Sequence, residues 1–416
     1  MTFRSWSALA LVALLPCPAG GQALPSEPIS LVGGRVTIGG EASLSLSTNP
    51  DEAGWFNYTD YKRNALRMVR LGATADVRLG SRLSVLGELR TEGRALCDRR
   101  FVCDLQRLEP YALYIRVRPW ADRAFDIQAG RIPPVFGAFA RRNYSGTDNP
   151  LIGYPLAYQY LTSLRSDAVP ATADDLLRMR ARGWRPSFSI GSTADTPGSP
   201  IMTAFRWDTG VQMHWGSEPL EVSGSVTTGT LSEPHVQDNN GGKQIAARVA
   251  WHPAVGLVLG VSGAHGPYVA ASVTRVLPPD VPRADFSQQA FGFDAEYSRG
   301  YWLVRSEGII SEWRLPAVRA PLIRHALRAS SISVEGQYKI RPGLFGAGRY
   351  DYLGFSNLPG STETRQWDAP VTRLEAGGGY YVMRNLIAKV TYQHDWRDGG
   401  RARSLSVWSG QLQFWF

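Results

Sequence analysis

Beyond its first 23 residues, the sequence lacks any run of about 18 or more apolar residues, the length that a membrane-spanning helix requires. A helical membrane protein is therefore excluded. The chain is nevertheless rich in aromatic residues, with 13 tryptophans, 17 tyrosines and 15 phenylalanines among 416 residues. These aromatic side chains must serve a fold that has no membrane helices.

Lysine is scarce, so arginine carries nearly all of the positive charge. Lysine occurs only as Lys62, Lys243, Lys339 and Lys389, although the formal net charge is +9. The arginines are scattered along the whole chain and are not gathered on one arm or face. This distribution argues against nucleic acid as a partner.

The N-terminal segment is typical of a secretion signal. A positive start precedes a short apolar run over residues 8–15 and a group of small residues that ends at Ala23. We therefore expect residues 1–23 to be a signal peptide and residues 24–416 to be the mature chain.

Cysteine is also rare. Cys17 lies in the expected signal, which leaves Cys97 and Cys103 as close neighbours in the mature chain. Secretion leads to an oxidising compartment, which favours a disulfide that closes a small loop between them. Two free thiols are the alternative.

The sequence contains none of the usual patterns for catalysis or for cofactor binding. Metal-ligand clusters, phosphate-binding glycine loops and haem-attachment motifs are missing, so we expect no cofactor and no metal. The histidines fit no catalytic spacing with a nucleophile, and we expect a protein that is not an enzyme; they are His214, His235, His252, His265, His325 and His394.

Alternating apolar and polar residues run through most of the mature chain and predict strands. The last strand is the clearest case, with Trp408, Leu412 and Phe414 on one face and Gln411 and Gln413 on the other. Without helices, only a closed barrel can pair every backbone group inside a bilayer. The sequence therefore predicts an all-β fold, a transmembrane antiparallel up-and-down β-barrel of about 16 strands.

The connections support this count because short and long links alternate along the chain, as expected for turns on one side of a membrane and loops on the other. The predicted strands begin with residues 36–46, 69–79, 83–89, 111–117 and 125–129. The next link, over residues 132–200, is far longer than the others. Loops of this length are usually functional, so it is the main candidate site.

The strand count, the oversized third external loop and the terminal phenylalanine together resemble the general bacterial porins. This resemblance implies a Gram-negative-type cell outer membrane, with lipid and lipopolysaccharide around a homotrimer. It also implies passive diffusion of small hydrophilic solutes past a third loop that folds into the barrel. The C-terminal Leu412, Phe414 and Phe416 are similar to the signal that the barrel-assembly machinery recognises.

Residues 126–137 (DIQAGRIPPVFG) further resemble the strand-to-loop passage of the phosphate-selective porin O and P family. In that family, arginines and lysines inside the channel bind anions, and this chain departs from it in having almost no lysine. The resemblance makes the following arginines candidates for pore constriction and anion binding: Arg131, Arg141, Arg142, Arg165, Arg178, Arg180, Arg182 and Arg185.

Inward arginines of the strands could line the lumen as a basic wall. The candidates are Arg116, Arg206, Arg248, Arg305, Arg349 and Arg373. Acidic residues such as Glu307 and Glu375 share the inward face, so cross-strand ion pairing is the alternative role for any one of these arginines.

A second class of function also fits this sequence. Some barrels are scaffolds that sheath a partner, such as a multihaem cytochrome in an electron conduit. A scaffold needs an open lumen, whereas a porin needs its third loop folded inward. The apolar, proline-rich residues 149–156 (NPLIGYPL) predict burial in the lumen or in a subunit interface, with a rigid turn as the alternative.

Overall fold

A computed structural model describes most of residues 24–416. The described residues are 25, 27–48, 68–94, 108–120, 122–142, 148–204, 207–235, 237–281 and 286–416. The expected signal peptide, the Cys97–Cys103 pair and Arg206 lie outside them. None of the helices in this part of the chain is long and apolar enough to cross a membrane.

Sixteen antiparallel strands form one closed barrel in which each strand pairs with its neighbours in sequence. The ring closes because the first strand also pairs with the last, from Glu41 opposite Trp415 to Ser47 opposite Ser409. The predicted up-and-down barrel is thus confirmed. The strands are β1 (Val36–Ser47), β2 (Met68–Arg78), β3 (Leu83–Arg94), β4 (Glu109–Val117), β5 (Ala124–Ile132), β6 (Asp208–Ser217), β7 (Leu220–Thr227), β8 (Gln244–Ala254), β9 (Leu257–Pro267), β10 (Ser287–Arg299), β11 (Trp302–Trp313), β12 (Leu327–Arg341), β13 (Leu344–Phe355), β14 (Val371–Met383), β15 (Leu386–Arg397) and β16 (Ser404–Trp415).

Short helices and short strands lie in the connections of the barrel and at its N-terminal end. The helices are α1 (Phe139–Arg142), α2 (Leu156–Gln159), α3 (Ala173–Arg178) and α4 (Ala271–Val276). The short strand Ile29–Leu31 pairs antiparallel with the start of β1. Two further antiparallel pairs of short strands are Ala168–Val169 with Ile190–Gly191, and Asn357–Pro359 with Thr364–Gln366.

Side chains alternate between the outside of the barrel and its lumen, as the sequence predicts. In β15, Val390 is 57% exposed, whereas Lys389 and Thr391 on either side are 2% and 1% exposed. In β16, Trp408 and Leu412 face outward and Gln413 is buried inside. A barrel in a bilayer needs an apolar outer face, which contacts lipid, and its inner face can be polar.

The two ends of the barrel differ in their connections. Links of two to six residues join the strands at one rim, here called the turn end, and links of six or more residues join them at the other, the loop end. The longest connection runs over residues 133–207, from β5 to β6, so it ends later than the predicted residue 200. Met202 is buried in the main hydrophobic cluster, and Trp207 packs against Tyr111 and Tyr114 of β4, so both residues precede the strand.

The main hydrophobic core lies inside the barrel and at its loop end. The 133–207 loop supplies Phe136, Phe139 and Leu176, which belong to one buried cluster with Trp313 and Trp367. Trp313 and Trp367 meet edge to face with ring centroids 5.9 Å apart. The long loop is therefore packed into the fold and is not a free surface segment.

The outward position of Val390 gives a direct test of the barrel orientation. We expect Val390→Arg to destabilise the barrel by about 2–4 kcal/mol, because it places a charge on the lipid-facing surface. Urea unfolding of the protein refolded in lipid vesicles measures this change. The matched control is Val255→Arg in the exposed turn between β8 and β9, which we expect to have little effect. Equal effects of the two substitutions would contradict the assignment of faces.

Candidate functional site

The long loop enters the lumen immediately after β5 and is held there by Glu307 of β11. The backbone N–H groups of Ala138 and Phe139 donate to Glu307 Oε1 at 2.7 and 3.4 Å. The hydroxyl of Tyr158, farther along the loop, donates to Glu307 Oε2 at 2.8 Å. Gly137 makes this approach possible, since a Cβ there would lie 2.6 Å from the carboxylate. One buried carboxylate thus anchors two separate parts of the loop.

A second anchor lies on β13 and β14. Glu375 Oε1 accepts a hydrogen bond from the Gly153 N–H at 2.9 Å, and Arg349 donates to the Gly153 carbonyl oxygen at 2.8 Å. Arg349 also binds Glu375 Oε2 at 2.5 Å and Asp351 at 3.0 Å. Both backbone groups of one loop glycine are therefore satisfied by a buried ion-pair network, which fixes the position of the loop.

The same stretch of loop lies against the wall on both sides of the barrel closure. Lys389 of β15 donates to the Asn149 carbonyl at 2.6 Å, and Arg373 of β14 donates to the Tyr154 carbonyl at 2.8 Å. From the other side of the closure, Arg70 of β2 donates to the Tyr154 hydroxyl at 3.2 Å. Residues 149–156 are thus buried in the lumen, which is one of the two burials that their composition predicts.

At the loop end, Asp368 in the β13–β14 connection holds the outer part of the long loop. Its carboxylate accepts hydrogen bonds from the backbone N–H groups of Ser163 and Ala181 at 2.7 and 2.8 Å. Burial raises the pKa of Asp368, and the amides of Ala181, Ala369 and Ser163 oppose that rise by stabilising the charged form.

Most wall arginines at mid-height are paired with carboxylates. The pairs are Arg70–Glu92, Arg90–Glu88, Arg248–Asp294, Arg305–Glu296, Arg349–Glu375 and Arg373–Asp395, at 2.5–2.8 Å. Arg116 differs, because its side chain donates a hydrogen bond to the Tyr114 hydroxyl at 3.3 Å and lies over the Tyr114 ring. Cross-strand pairing, the alternative raised by the sequence, is thus the common arrangement.

The predicted loop arginines do not form one cluster in space. Arg165 is buried and binds Asp167 at 2.9 Å, and Arg131 donates to the carbonyls of Trp207 and Pro110 near the loop stem. Arg178, Arg182 and Arg185 are exposed, and Arg178 and Arg185 pair with Asp175 and Asp195. Arg180 binds Asp398 at 2.8 Å. These last four lie with the loop-end connections and not at mid-lumen.

Arg141 and Arg142 of α1 are the predicted loop arginines that reach the mid-lumen wall. Arg142 lies 3.8 Å from Glu296. Arg141 is exposed, and in the described part of the chain its guanidinium has no ion pair. Enclosure by the barrel and the nearby Arg248 both lower the pKa of Arg141, yet arginine stays protonated at physiological pH. Nearby Glu221 and Asp294 favour the charged form without forming an ion pair with it, so Arg141 offers a positive charge to the lumen.

The loop stems themselves leave little space. A cavity of about 30 Å³ lies between residues 132–136, the returning chain at Met202 and Thr203, and the wall of β7 and β8. That volume suits about one water molecule. The loop is thus closely packed where it leaves and rejoins the barrel.

Sequence reasoning placed Glu307 and Glu375 on the inward face but missed that they hold the loop, and it missed Asp368 altogether. The available signals were Gly137 and Gly153, two loop glycines whose backbones each meet a carboxylate. Glycine in a loop has many other causes, so these signals become specific only once the fold is known.

A closed sixteen-stranded barrel with its long third loop folded inside has the architecture of the bacterial outer-membrane porins. It is similar to an anion-selective porin from Comamonas acidovorans, with a TM-score of 0.54, 11% identity, and coverage of 92% of this chain and 99% of that one. OmpT of Vibrio cholerae gives a TM-score of 0.53 at 11% identity, covering 93% of this chain and 99% of that one.

The outer-membrane channel DcaP of Acinetobacter baumannii gives a TM-score of 0.51 at 12% identity, covering 94% of this chain and 100% of that one. At such low identities, these likenesses establish the fold alone. No protein-family model matches the sequence, and no curated protein matches it by sequence.

Glu307 can be tested as the main anchor of the loop. We expect Glu307→Ala to leave three donors unpaired and to weaken the local structure by about 3 kcal/mol. Amide hydrogen exchange in residues 136–142 and 156–160 should then be about a hundredfold faster. Glu312→Ala, at the loop end of the same strand, is the control and should leave this exchange unchanged. Unchanged exchange in Glu307→Ala would refute the anchoring role.

Proposed function

We propose that this chain is an outer-membrane porin through which small hydrophilic solutes diffuse passively. The observation that carries the proposal is the loop over residues 133–207, which crosses the lumen and is hydrogen-bonded to β11, β14 and β2. A loop fixed at several points of the wall narrows the passage to a defined size. Selection then follows from the width of that passage and from the charges that line it.

The free charge in the lumen favours anions. The wall arginines at mid-height are largely neutralised by carboxylates, so they contribute little net field. Arg141 is exposed without an ion pair among the described residues, and its charge faces solutes directly. We therefore assign anion preference to Arg141 and not to the surface arginines Arg178, Arg182 and Arg185.

A scaffold that sheaths a multihaem cytochrome is the competing function. It requires a lumen wide enough to hold a folded partner. Here the loop and its buried cluster, including Phe139, Tyr158 and Leu176, occupy that space. No feature of the described residues favours the scaffold, so the porin is the better account.

The outer surface suggests how copies associate. The outward side chains of β1 to β4 are aliphatic or small, such as Leu44, Leu71, Leu89, Leu113 and Ile115. Exposed aromatic residues instead lie on β6, β8 and β10 to β16, where they suit the interfaces of a lipid bilayer. We assign the aromatic-free face of β1 to β4 to contact between subunits of a homotrimer, an assembly also named for the trimer form of OmpT of Vibrio cholerae.

The charge assignment predicts the selectivity of single channels. Arg141→Ala should lower the ratio of chloride to potassium permeability severalfold, because it removes a lumen-facing cation that has no ion pair among the described residues. Reversal potentials across a planar bilayer under a salt gradient measure this ratio. Arg324→Ala, which removes an exposed arginine from the β11–β12 loop, is the matched control and should leave the ratio unchanged. Absence of stable conductance in the wild type would overturn the porin proposal itself.

The interface assignment predicts a difference between two lipid-facing positions. Leu113→Arg on β4 should convert trimers to monomers in detergent, because it buries a charge between subunits. Val261→Arg on β9, which is equally exposed on the outside of one copy, should leave the assembly intact. Light scattering after size-exclusion chromatography gives the mass of each variant. Dissociation by both substitutions, or by neither, would argue against this interface.

A further inference from the structure

Aromatic side chains face the lumen near the turn end, at positions where a barrel normally has polar residues. Phe345 of β13, Tyr381 of β14 and Trp415 of β16 all have inward parity. On β14 and β16, Glu375 and Gln413 share that parity and are buried in the lumen. Inward positions of a water-filled barrel are usually polar. These three aromatic residues, here called the aromatic corner, are therefore an exception to the pattern of the wall.

The rings of the aromatic corner contact one another across neighbouring strands. The centroid of the Tyr381 ring lies 6.2 Å from that of Phe345 and 6.3 Å from that of Trp415. The ring planes of Tyr381 and Trp415 are nearly perpendicular, at 83°. Phe345 is 4% exposed and lies directly over Gly379, where a Cβ would be 2.6 Å from the ring. Phe345 therefore supports the corner, whereas Tyr381, at 37% exposed, presents its ring to the lumen.

A recess lies beside the aromatic corner, on the side toward mid-lumen. Ala347 of β13 and Gly377 of β14 are paired inward positions with little or no side chain, and both are partly exposed. The next inward residue of β14 is Glu375, which binds Gly153 of the long loop. Glu375 and Tyr381 are six residues apart on one strand, which is about 20 Å of wall. The wall between the loop anchor and the corner is therefore low over a length that admits a small ring.

Polar groups of both signs border the recess. Lys339 of β12 is paired with Phe345, and it is exposed without an ion pair among the described residues. Asp148 of the long loop is also exposed and is close enough to Tyr381 to act on it electrostatically. In the same part of the chain, the Tyr381 hydroxyl and the Trp415 indole N–H have no hydrogen-bond partner. One charge of each sign beside free donors suits a neutral, hydroxyl-rich solute better than an ion.

Sugar rings combine the two properties that this site offers. One face of a pyranose ring consists of C–H groups, while its edge carries hydroxyls that both donate and accept hydrogen bonds. An aromatic side chain can remove that apolar face from water and leave the hydroxyl edge to polar groups. A linear polyol carries the same hydroxyls but has no such face. The aromatic corner therefore favours cyclic sugars over open-chain polyols.

We propose that the aromatic corner and the recess beside it form a binding site for neutral sugars that contain one or two pyranose rings. The Tyr381 ring covers the apolar face of the sugar. Lys339 and Asp148 hydrogen-bond its hydroxyls. The role of this site as a step in the passage of sugars through the lumen rests on the porin function proposed above, whereas the binding itself requires only the folded barrel.

The test measures binding by saturation-transfer difference NMR on the full-length folded protein in phosphatidylcholine nanodiscs, whose lipid has no sugar headgroup. The probe is methyl β-D-glucopyranoside, and the matched probe without a ring is sorbitol. Tyr381→Ser removes the exposed ring of the corner. Tyr380→Ser, at the neighbouring position on the lipid-facing side, is the control. Ala347→Leu fills the recess and leaves every ring in place, so it tests the site even if Tyr381→Ser does not fold.

We expect methyl β-D-glucopyranoside to bind the wild type and Tyr380→Ser equally. Tyr381→Ser and Ala347→Leu should bind it about tenfold more weakly, which is about 1.4 kcal/mol. Tyr381→Phe keeps the ring and should retain most of the affinity. Sorbitol should bind the wild type at least about tenfold more weakly than the glucoside does. Circular dichroism verifies that each variant retains its β-sheet content.

Several results would overturn the proposal. They are no saturable binding to the wild type, unchanged binding in Tyr381→Ser, equal losses in Tyr380→Ser and Tyr381→Ser, or equal binding of sorbitol and the glucoside. Stronger binding of benzyl alcohol than of the glucoside would show that the corner recognises aromatic solutes and would overturn the assignment to sugars. Conductance of the same samples is measured separately: a wild type that binds the glucoside without conducting would refute the porin function and leave the sugar site standing.

Discussion

Closure of the strand ladder between β1 and β16 is the constraint on which the other features depend. Inside a bilayer each backbone N–H and C=O group must find a partner, and a ring of strands satisfies this requirement without an exposed edge. Successive side chains of each strand point alternately to the lipid and to the interior of the ring. The apolar residues face the lipid, so the interior wall is polar. Everything that occupies the lumen must satisfy that polar wall, and this requirement explains how the long loop is held.

The loop meets the wall through its backbone more than through its side chains. Glu307 and Glu375 accept loop amides, while Arg349, Arg373 and Lys389 donate to loop carbonyls. A buried ion pair stabilises little on its own, because desolvation offsets much of the attraction. Such pairs define geometry instead, since an irregular loop can occupy the lumen only where its backbone groups are paired.

The barrel could be predicted from the sequence because alternation is a local property. The faces of Val390 and Gln413 follow from parity alone, and the existence of the long loop follows from the spacing of strands. Its anchors depend on which loop residue meets which carboxylate, and that pairing is set by the three-dimensional path of the chain. The arginines from Arg178 to Arg185 are close in sequence but do not act together at one place in the structure. Arg180 binds Asp398, while Arg182 and Arg185 face solvent.

The arginines have different roles, which the amino-acid composition does not distinguish. Arg70, Arg90 and Arg373 are buried with carboxylates, and they belong to the structure of the wall. Arg141 has no such ion pair within the described residues, and its charge is the basis of the proposed anion preference. A field that acts on a passing ion arises from uncompensated charge, not from the number of arginines. The near absence of lysine therefore does not argue against anion selectivity, because selectivity depends on where the few unpaired cations lie.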